Sequence, residues 1–220
     1  VLPGIDDGAR DITKSIKLVT CLQKFGVSQI ITTPHINYHI WDNSPETIQL
    51  KLDETQKALE ENKIEIPIRA AAEYFIDNWF ENLLKEQKLL PLKDNYVLVE
   101  MSYINAPVQL YKVLFDLQVA GYIPVLAHPE RYLFYHNNFA EYEKLKNAGC
   151  LFQLNLLATV GYYGEKITKI ADELLKKGFY SFAGSDVHHQ NHIAAFDQKI
   201  KIKNEASLRE VIDNNKFFKF

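Results

Sequence analysis

The chain is poor in cysteine, and this scarcity excludes two common kinds of site. It has only Cys21 and Cys150, which lie far apart in apolar surroundings. Neither a disulfide framework nor a paired-cysteine metal knuckle is therefore available. A thiol-dependent phosphatase also needs an arginine at a fixed short distance after its cysteine, where this chain has Val27 and Leu156. We expect both cysteines to be buried structural thiols.

The chain also lacks a long apolar run and a block of like charges. No apolar segment is long enough to span a bilayer, and no signal-peptide pattern stands at the start. The net charge of −3 comes from interspersed acidic and basic residues, without the basic patches of nucleic-acid-binding proteins. We expect a soluble, cytoplasmic protein that neither binds nucleic acid nor inserts into a membrane.

Helical and strand-like segments alternate along the chain, and we expect one domain spanning residues 1–220. Strands are predicted at 26–35, 64–74, 95–102, 122–128, 150–155 and 180–186. Helices are predicted at 11–25, 44–62, 77–86, 108–121, 138–148, 164–177 and 206–214. Because the strands are short and apolar on both faces, they predict an α/β fold with a parallel sheet buried on both sides. A closed barrel and an open doubly wound sheet both fit this pattern.

Five of the six strands end in a residue that can bind a metal ion. These residues are His35, Glu73, Glu100, His128 and Asp186. Barrel enzymes gather their active sites at the carboxyl ends of the strands, so these side chains would converge on one rim. Burial of an unpaired carboxylate is costly, and a cation is the simplest compensation. Taken singly, each residue could instead be an exposed or hydrogen-bonded strand end.

Two loops contain further candidate ligands. Asp186 and His188 stand two positions apart after a strand and can point to one side, whereas His189 and His192 are expected to lie at the surface. Near the start of the chain, residues 6–8 read Asp-Asp-Gly. These two acids could cap a turn or helix, or could supply another oxygen ligand.

Arg131 closes the segment His128-Pro129-Glu130-Arg131. Its planar guanidinium suits a phosphate or a carboxylate, although a surface ion pair with Glu130 is an equally good interpretation at this point.

Mixed imidazole and carboxylate ligands suit Mn²⁺, Fe²⁺ or Zn²⁺, and the absence of thiolates argues against a structural zinc. The sequence offers more ligands than one ion can use. Two or three ions roughly 3.5–4 Å apart would stabilise the attacking and leaving oxygens of a phosphoester. The residues therefore favour metal-dependent phosphoester hydrolysis.

Six segments taken in order give a more specific indication. They are LPGIDDGA, TTPH, the Glu after AAA, LVEMS, PVLAHPERY and GSDVHH. With them the chain resembles the polymerase and histidinol phosphatase (PHP) family, and most closely the bacterial manganese-dependent tyrosine phosphatases of capsular and exopolysaccharide genes, the CpsB/CapC type. The resemblance implies a distorted (β/α)7 TIM-like barrel holding up to three Mn²⁺ ions. It also implies that the substrate is the phosphotyrosine tail of a bacterial tyrosine kinase, a polysaccharide co-polymerase.

The resemblance assigns roles to single residues. For one outer ion it implies the ligands Asp7, His35 and His188. For the other two ions it implies Glu73 as the bridge, Glu100 and His128 on one, and Asp186 on the other. Arg131 would bind phosphate and stabilise the transferred phosphoryl group, and His188 could protonate the departing phenolate.

The chain departs from the family pattern in two places. Members begin with a strand that ends in His-x-His, which we expect immediately before Val1. Relatives also carry a second phosphate-binding arginine where this chain has Ile193, so we assign His192 as its substitute. Two alternatives stay open: another phosphoesterase of the same type, acting on histidinol phosphate or as an exonuclease, and a metal-poor module that binds a kinase without catalysis.

Overall fold

The computed structural model describes residues 1–86 and 89–220 as an α/β fold. Its strands are β1 Ile30–Thr32, β2 His35–Ile36, β3 Ile68–Ala70, β4 Glu73–Phe75, β5 Tyr96–Glu100, β6 Ile123–Ala127, β7 Leu151–Asn155 and β8 Phe182–Gly184. Its helices are α1 Ile12–Lys24, α2 Pro45–Glu61, α3 Asn78–Lys85, α4 Leu110–Val119, α5 Phe139–Asn147, α6 Leu156–Thr159, α7 Glu165–Lys176, α8 Gln190–Ala195 and α9 Glu205–Asn214. Short 3-10 helices occupy Pro129–Arg131, Leu133–Tyr135 and Asn215–Phe218.

The strands form a curled parallel sheet whose order follows the chain. β1 pairs with β3, while β2, β4, β5, β6, β7 and β8 pair in that order. Ile30 lies opposite Ile68 and His35 lies opposite Glu73, so one register runs through both pairs. β1 and β2 are therefore two parts of one extended segment, and β3 and β4 are two parts of its neighbour. A doubly wound sheet reverses its strand order at a switch point, whereas the order of the described strands does not reverse.

Each of the first two predicted strands is interrupted by a short break in strand pairing, one between β1 and β2 and the other between β3 and β4. This corrects the prediction of unbroken strands. Pro34 has no N–H to donate to a neighbouring strand. On the adjacent segment, Ala72 donates its N–H to the carbonyl of Leu90 instead of to the neighbouring strand. Pairing resumes directly after the break, where the N–H of Glu73 donates to the carbonyl of Pro34.

Several helices begin at residues whose side chains cap the first turn. Asp11 and Asp77 each accept a backbone N–H from the first turn of α1 and α3. Ser44 and Thr47 form a reciprocal capping box at the start of α2. The short helices α6 and α8 were not predicted, because four to six residues are too few to show helical periodicity. Over the two described ranges, no helix combines the length and the apolarity that a bilayer crossing requires.

Side chains of the sheet alternate between two apolar layers. On β5, Val97 and Val99 pack between the sheet and the helices, whereas Leu98 points to the concave inner side of the curled sheet, which we call the curl. The inner layer also contains Ala71, Leu92, Val125, Ala127, Phe182 and Phe218. Burial on both faces explains why the strands are apolar throughout, and it confirms the predicted type of sheet.

A cavity of 740 Å³ lies between β1 and β8, the two edge strands of the curled sheet. Ile31 and Thr32 line one side, and Ala183 and Gly184 line the other. At its polar end the cavity reaches Asp186.

Phe218 covers the amino-terminal end of the sheet. Its ring centroid lies 4.6 Å from that of Phe182 and 6.2 Å from that of Tyr96, at the beginnings of β8 and β5. Gln29 donates a side-chain hydrogen bond of 3.0 Å to the Phe218 carbonyl. The opposite end of the sheet, where the strands end, is left for the candidate functional residues.

We expect Phe218→Ala to lower the free energy of unfolding by about 3–5 kcal/mol, because a buried aromatic ring leaves a cavity when it is truncated. Urea unfolding of the purified protein measures this loss. Phe220 is 48% exposed and provides the control, because Phe220→Ala should cost at most about 1 kcal/mol. Equal losses in the two variants would contradict the assignment of Phe218 to the inner layer.

Candidate active site

The ends of neighbouring strands bring four of the predicted metal ligands together. His35 begins β2 and lies opposite Glu73, the first residue of β4. Glu100 ends β5 on the same face as Leu98, which points into the curl. His128 directly follows β6. The sequence prediction that strand-end residues converge is confirmed for these four side chains.

In this cluster two imidazoles contact two buried carboxylates. Nδ1 of His35 lies 3.1 Å from Oε1 of Glu100. Nε2 of His128 lies 3.1 Å from Oε1 of Glu73 and 3.7 Å from Oε2 of Glu100. Glu73, Glu100 and His128 are at most 8% exposed. Two carboxylates buried so close together need a compensating positive charge.

A second group forms on the other side of His35. Its Nε2 lies 3.6 Å from Oδ1 of Asp7, and Nε2 of His188 lies 3.3 Å from the same oxygen. The two imidazole rings are stacked with their centroids 5.7 Å apart. Nδ1 of His188 lies 2.8 Å from the carbonyl oxygen of Asp186, and a proton donated there leaves Nε2 free to bind a metal ion.

The loop that carries Asp7 is fixed by polar contacts within the site. Asp6 accepts the backbone N–H of Gly8 at 2.9 Å, which is the turn-capping use predicted for these acids, while the use of Asp7 as an oxygen ligand stays a prediction. Asn43 donates to the carbonyls of Ile5, at 2.7 Å, and His35, at 2.8 Å. This one amide ties the Asp7 loop to β2, a contact that no sequence pattern indicated.

Unusual backbone conformations aim two of the site residues. His128 has φ of 38° and Asp186 has φ of 49°, both in the left-handed region. Strand alternation would direct His128 away from the curl, since the preceding Ala127 already points inward. The left-handed turn returns its imidazole to Glu73. Such conformations cost free energy and persist where the surrounding contacts hold them.

The cluster perturbs the pKa values of its members. Burial raises the pKa of Glu73, and the nearby Glu100 raises it further. Burial alone would lower the pKa of His128, but the hydrogen bond with Glu73 leaves it raised. Burial would lower that of His35 as well, yet Glu100 and Glu73 raise it to about 10. Because metal ligands must be deprotonated, a divalent cation at these imidazoles competes with protons, and the raised pKa values strengthen that competition.

Both groups fit divalent cations. In each group, one ligand atom from every side chain lies within 4.8 Å of the others: Asp7, His35 and His188 in one, His35, Glu73 and Glu100 in the other. Nδ1 of His35 is buried and finds no hydrogen-bond partner among residues 1–86 and 89–220, in spite of its short distance to Glu100. Nitrogen and oxygen ligands without thiolates suit Mn²⁺, Fe²⁺ or Zn²⁺.

Asp186 lies beside these groups and pairs with Arg131. Its Oδ2 accepts from Nη1 of Arg131 at 3.2 Å and from the side-chain amide of Asn155 at 2.6 Å. Burial would raise the pKa of Asp186, but the positive charges of His188, His128 and Arg131 lower it. Asp186 therefore stays an anion next to the cluster, where its role as a metal ligand remains a prediction.

The alternative pairing of Arg131 with Glu130 at the surface is wrong. Glu130 is 0% exposed and accepts the backbone N–H of Asn155 at 2.9 Å and the hydroxyl of Tyr180 at 2.8 Å. Its carboxylate thereby connects the segment after β6 to the end of β7. Arg131 is left to face the site, as a phosphate-binding residue should.

His192 is not the surface residue that the His-rich segment suggested. It is 8% exposed on α8, and its Nδ1 accepts the backbone N–H of His188 at 3.1 Å. Burial, together with the charges of His189 and His188, lowers its pKa to about 4. His192 is thus a neutral group beside the site. Its role in substrate binding stays a prediction, in which the neutral imidazole would contribute a hydrogen bond rather than a charge.

Besides Asn43, sequence reasoning missed three residues of the site: Tyr103, Asn155 and Tyr163. They follow β5, end β7 and follow α6. Tyr103 and Tyr163 place their rings 4.6 Å and 4.3 Å from the guanidinium carbon of Arg131. Neither tyrosine stands out in a chain with 12 of them, although Asn155 could have been found as a polar strand end.

These groups line a cavity of 540 Å³ at the ends of the strands. Its lining includes charged and imidazole side chains, which are Asp7, His35, Glu100, His128, Arg131, Asp186 and His188. It also includes apolar and aromatic side chains, which are Ile40, Trp41, Phe75, Met101, Tyr103 and Ile104. A small molecule or side chain with an anionic end and an apolar body would complement this mixed lining.

A profile of the protein family described as capsular polysaccharide synthesis, CpsB/CapC, matches residues 1–203. The chain belongs to the CpsB/CapC family. Its resemblance to this type, first indicated by the ordered motifs, is thereby confirmed.

Curated relatives and a solved structure agree with this membership. The chain is 30% identical over 190 residues to the tyrosine-protein phosphatase YwqE of Bacillus subtilis (strain 168), covering 86% of this chain and 75% of the relative. It is 28% identical to the putative tyrosine-protein phosphatase CapC of Staphylococcus aureus, over 86% and 74% of the two chains. A crystal structure from work on YwqE and Streptococcus pneumoniae CpsB, described as unique metal-dependent tyrosine phosphatases, superposes with a TM-score of 0.86. It is 27% identical and covers 99% of this chain and 90% of that chain.

Metal binding should stabilise this CpsB/CapC member more strongly as the pH rises. The pKa of Glu73 in the folded protein is raised above the usual 4.5, so the unfolded chain releases this proton at a lower pH than the folded protein does. The metal-free protein therefore loses stability as the pH rises above 4.5. His35, with a pKa of about 10, also gives up its proton to an ion more easily at higher pH. We expect the melting temperature difference between Mn²⁺ and chelator to be larger at pH 8 than at pH 5.

Glu73→Gln provides the matched variant for this measurement. It removes the buried charge, so its metal-free form should melt higher than the wild type at pH 8, while its gain from Mn²⁺ shrinks. An equal gain from Mn²⁺ at both pH values, or an unchanged gain in Glu73→Gln, would contradict the assignment of Glu73 as a ligand.

Proposed function

We propose that this protein hydrolyses phosphotyrosine in the cytoplasm with the help of divalent cations, and that its substrate is the phosphorylated tail of a tyrosine kinase of polysaccharide export. The observation that carries the proposal is the mixed lining of the cavity, which combines imidazoles, carboxylates and an arginine with apolar and aromatic side chains. A phosphotyrosine side chain combines the matching features, since it joins an anionic phosphate to a flat apolar ring.

The residues of the cavity suit separate tasks in this reaction. Arg131 faces the site and can bind the equatorial phosphate oxygens, where negative charge develops. Ile40 and Ile104 line the cavity and are 67% and 84% exposed, so the substrate ring can cover them. His188, with Nδ1 held by a carbonyl, can present Nε2 to an ion or a proton to the leaving oxygen. A phenolate departs readily because the pKa of tyrosine is only about 10.

Ions would be held by the two groups that meet at His35, with Asp186 nearby. When bound, such ions lower the pKa of water and neutralise charge on the phosphate. We propose Mn²⁺ as the resident metal, with Fe²⁺ and Zn²⁺ compatible with the same ligands. His128 and Glu73 would fix the orientation of one another within the ligand set through their hydrogen bond of 3.1 Å.

We propose further that the fold is the distorted seven-stranded β/α barrel of the PHP type. The curled sheet with its sequential strand order supports this architecture. So does the position of the edge strands β1 and β8, which line one cavity of 740 Å³.

Substrate comparison tests the proposed reaction. We expect the Mn²⁺-loaded protein to cleave a phosphotyrosine peptide with a kcat/KM about 100-fold above that for histidinol phosphate. The reason is that the apolar side chains of the cavity would contact the phenyl ring of phosphotyrosine, which histidinol phosphate lacks. Single-stranded DNA should not be digested. Preference for either alternative substrate would favour another phosphoesterase. No turnover of any of the three by the metal-loaded full-length protein would favour a kinase-binding module instead.

Arg131→Ala tests the phosphate site separately from the metal site. We expect kcat/KM on the phosphotyrosine peptide to fall about 100-fold or more, as for loss of a donor to a developing oxyanion. Bound metal, measured by elemental analysis, should stay at the wild-type level. Arg10→Ala is the control, since Arg10 is an exposed arginine. Wild-type activity in Arg131→Ala would remove Arg131 from the proposed mechanism.

A further inference from the structure

The guanidinium of Arg131 lies between two aromatic rings. Its central carbon is 4.6 Å from the ring centroid of Tyr103 and 4.3 Å from that of Tyr163. The two tyrosines come from separate loops, one after β5 and the other between α6 and α7. They therefore contact Arg131 independently of one another. We call Tyr103, Arg131 and Tyr163 the aromatic clamp.

Both rings of the aromatic clamp are fixed by contacts of their own. The Tyr103 hydroxyl lies 3.4 Å from Nε2 of His128, and its ring is stacked on the same imidazole at 5.6 Å. The hydroxyl of Tyr163 accepts from the amide of Asn155 at 3.2 Å. The rings are thus held by the site, so they can hold Arg131 in turn.

Each ring offers a π face to the cation. Although 44% of the Tyr103 surface is exposed, its hydroxyl lies inside the site. The guanidinium is attracted to both π faces.

The contacts of the clamp leave donors of Arg131 available to a ligand. The N–H donors of a guanidinium lie in its own plane, and the two rings lie within cation–π distance of its central carbon. Within the described part of the chain, its one side-chain hydrogen bond goes from Nη1 to Asp186. The remaining N–H groups are left for an anion in the cavity.

We propose that Tyr103 and Tyr163 are positioning residues, which hold the guanidinium of Arg131 in the plane that receives a tetrahedral phosphate. This inference rests on the proposed function only for the identity of the substrate, because any phosphate in the cavity would use the same donors. Arg131 has a long flexible stem, and the rings remove its freedom before the anion arrives.

Inorganic phosphate binding to the Mn²⁺-loaded full chain, measured by calorimetry, tests the clamp without any turnover. We expect Tyr103→Leu and Tyr163→Leu each to raise the dissociation constant for phosphate about tenfold. Tyr103→Phe and Tyr163→Phe keep the rings and should stay within about threefold of the wild type. Tyr111→Leu, a change to a tyrosine of α4 that bonds Glu141, is the matched control.

A double-mutant cycle with Arg131→Ala separates positioning from general damage. If the rings act through Arg131, the leucine changes should have no further effect on phosphate binding in the Arg131→Ala background. With the phosphotyrosine peptide, the leucine variants should raise KM more than they lower kcat. Metal content and melting temperature should match the wild type. Since the rings lie on different loops, either leucine variant that folds is enough to test the clamp.

The proposal is overturned if a folded leucine variant binds phosphate as tightly as the wild type, or if its loss is equally large without Arg131. A wild type that binds phosphate through the clamp but does not cleave phosphotyrosine would leave the clamp standing and refute the proposed function. The two ideas can therefore fail separately.

Discussion

The burial of two carboxylates around two imidazoles is the constraint on which the rest of the site depends. Glu73 and Glu100 reach the same small space from neighbouring strands, and both His35 and His128 contact them within about 4 Å. In water such groups would separate. Here the parallel pairing of the strands holds them together, so their mutual repulsion is compensated only by protons or by metal ions.

The fold supplies this constraint through its strand ends and two unusual turns. Parallel strands bring their last residues to one rim, and left-handed backbone conformations at His128 and Asp186 direct their side chains back towards it. A second line of support comes from Glu130, whose buried carboxylate joins the turn after β6 to the end of β7. Asn155 continues that connection to Asp186, and from there it reaches Arg131.

The sequence predicted the parts of this arrangement that follow from repeating patterns. Apolar runs ending in a ligand residue predicted the strands and the convergence of residues such as Glu100, because strand direction decides where a run ends. Contacts between loops could not be predicted in this way. Tyr103 and Tyr163 come together only in the folded chain. No local pattern could decide between a surface and a buried Glu130, or between an exposed and a buried His192.

Anomalous diffraction from crystals of the Mn²⁺-loaded protein, collected at the manganese edge, tests the central claim most directly. The account predicts peaks on both sides of His35, each about 2.0–2.3 Å from one of its ring nitrogens. On one side the peak lies beside Asp7 and His188, and on the other it lies beside Glu73 and Glu100. Full-length protein saturated with Mn²⁺ that shows no anomalous peak at this rim, or shows its peaks elsewhere on the molecule, would contradict the account.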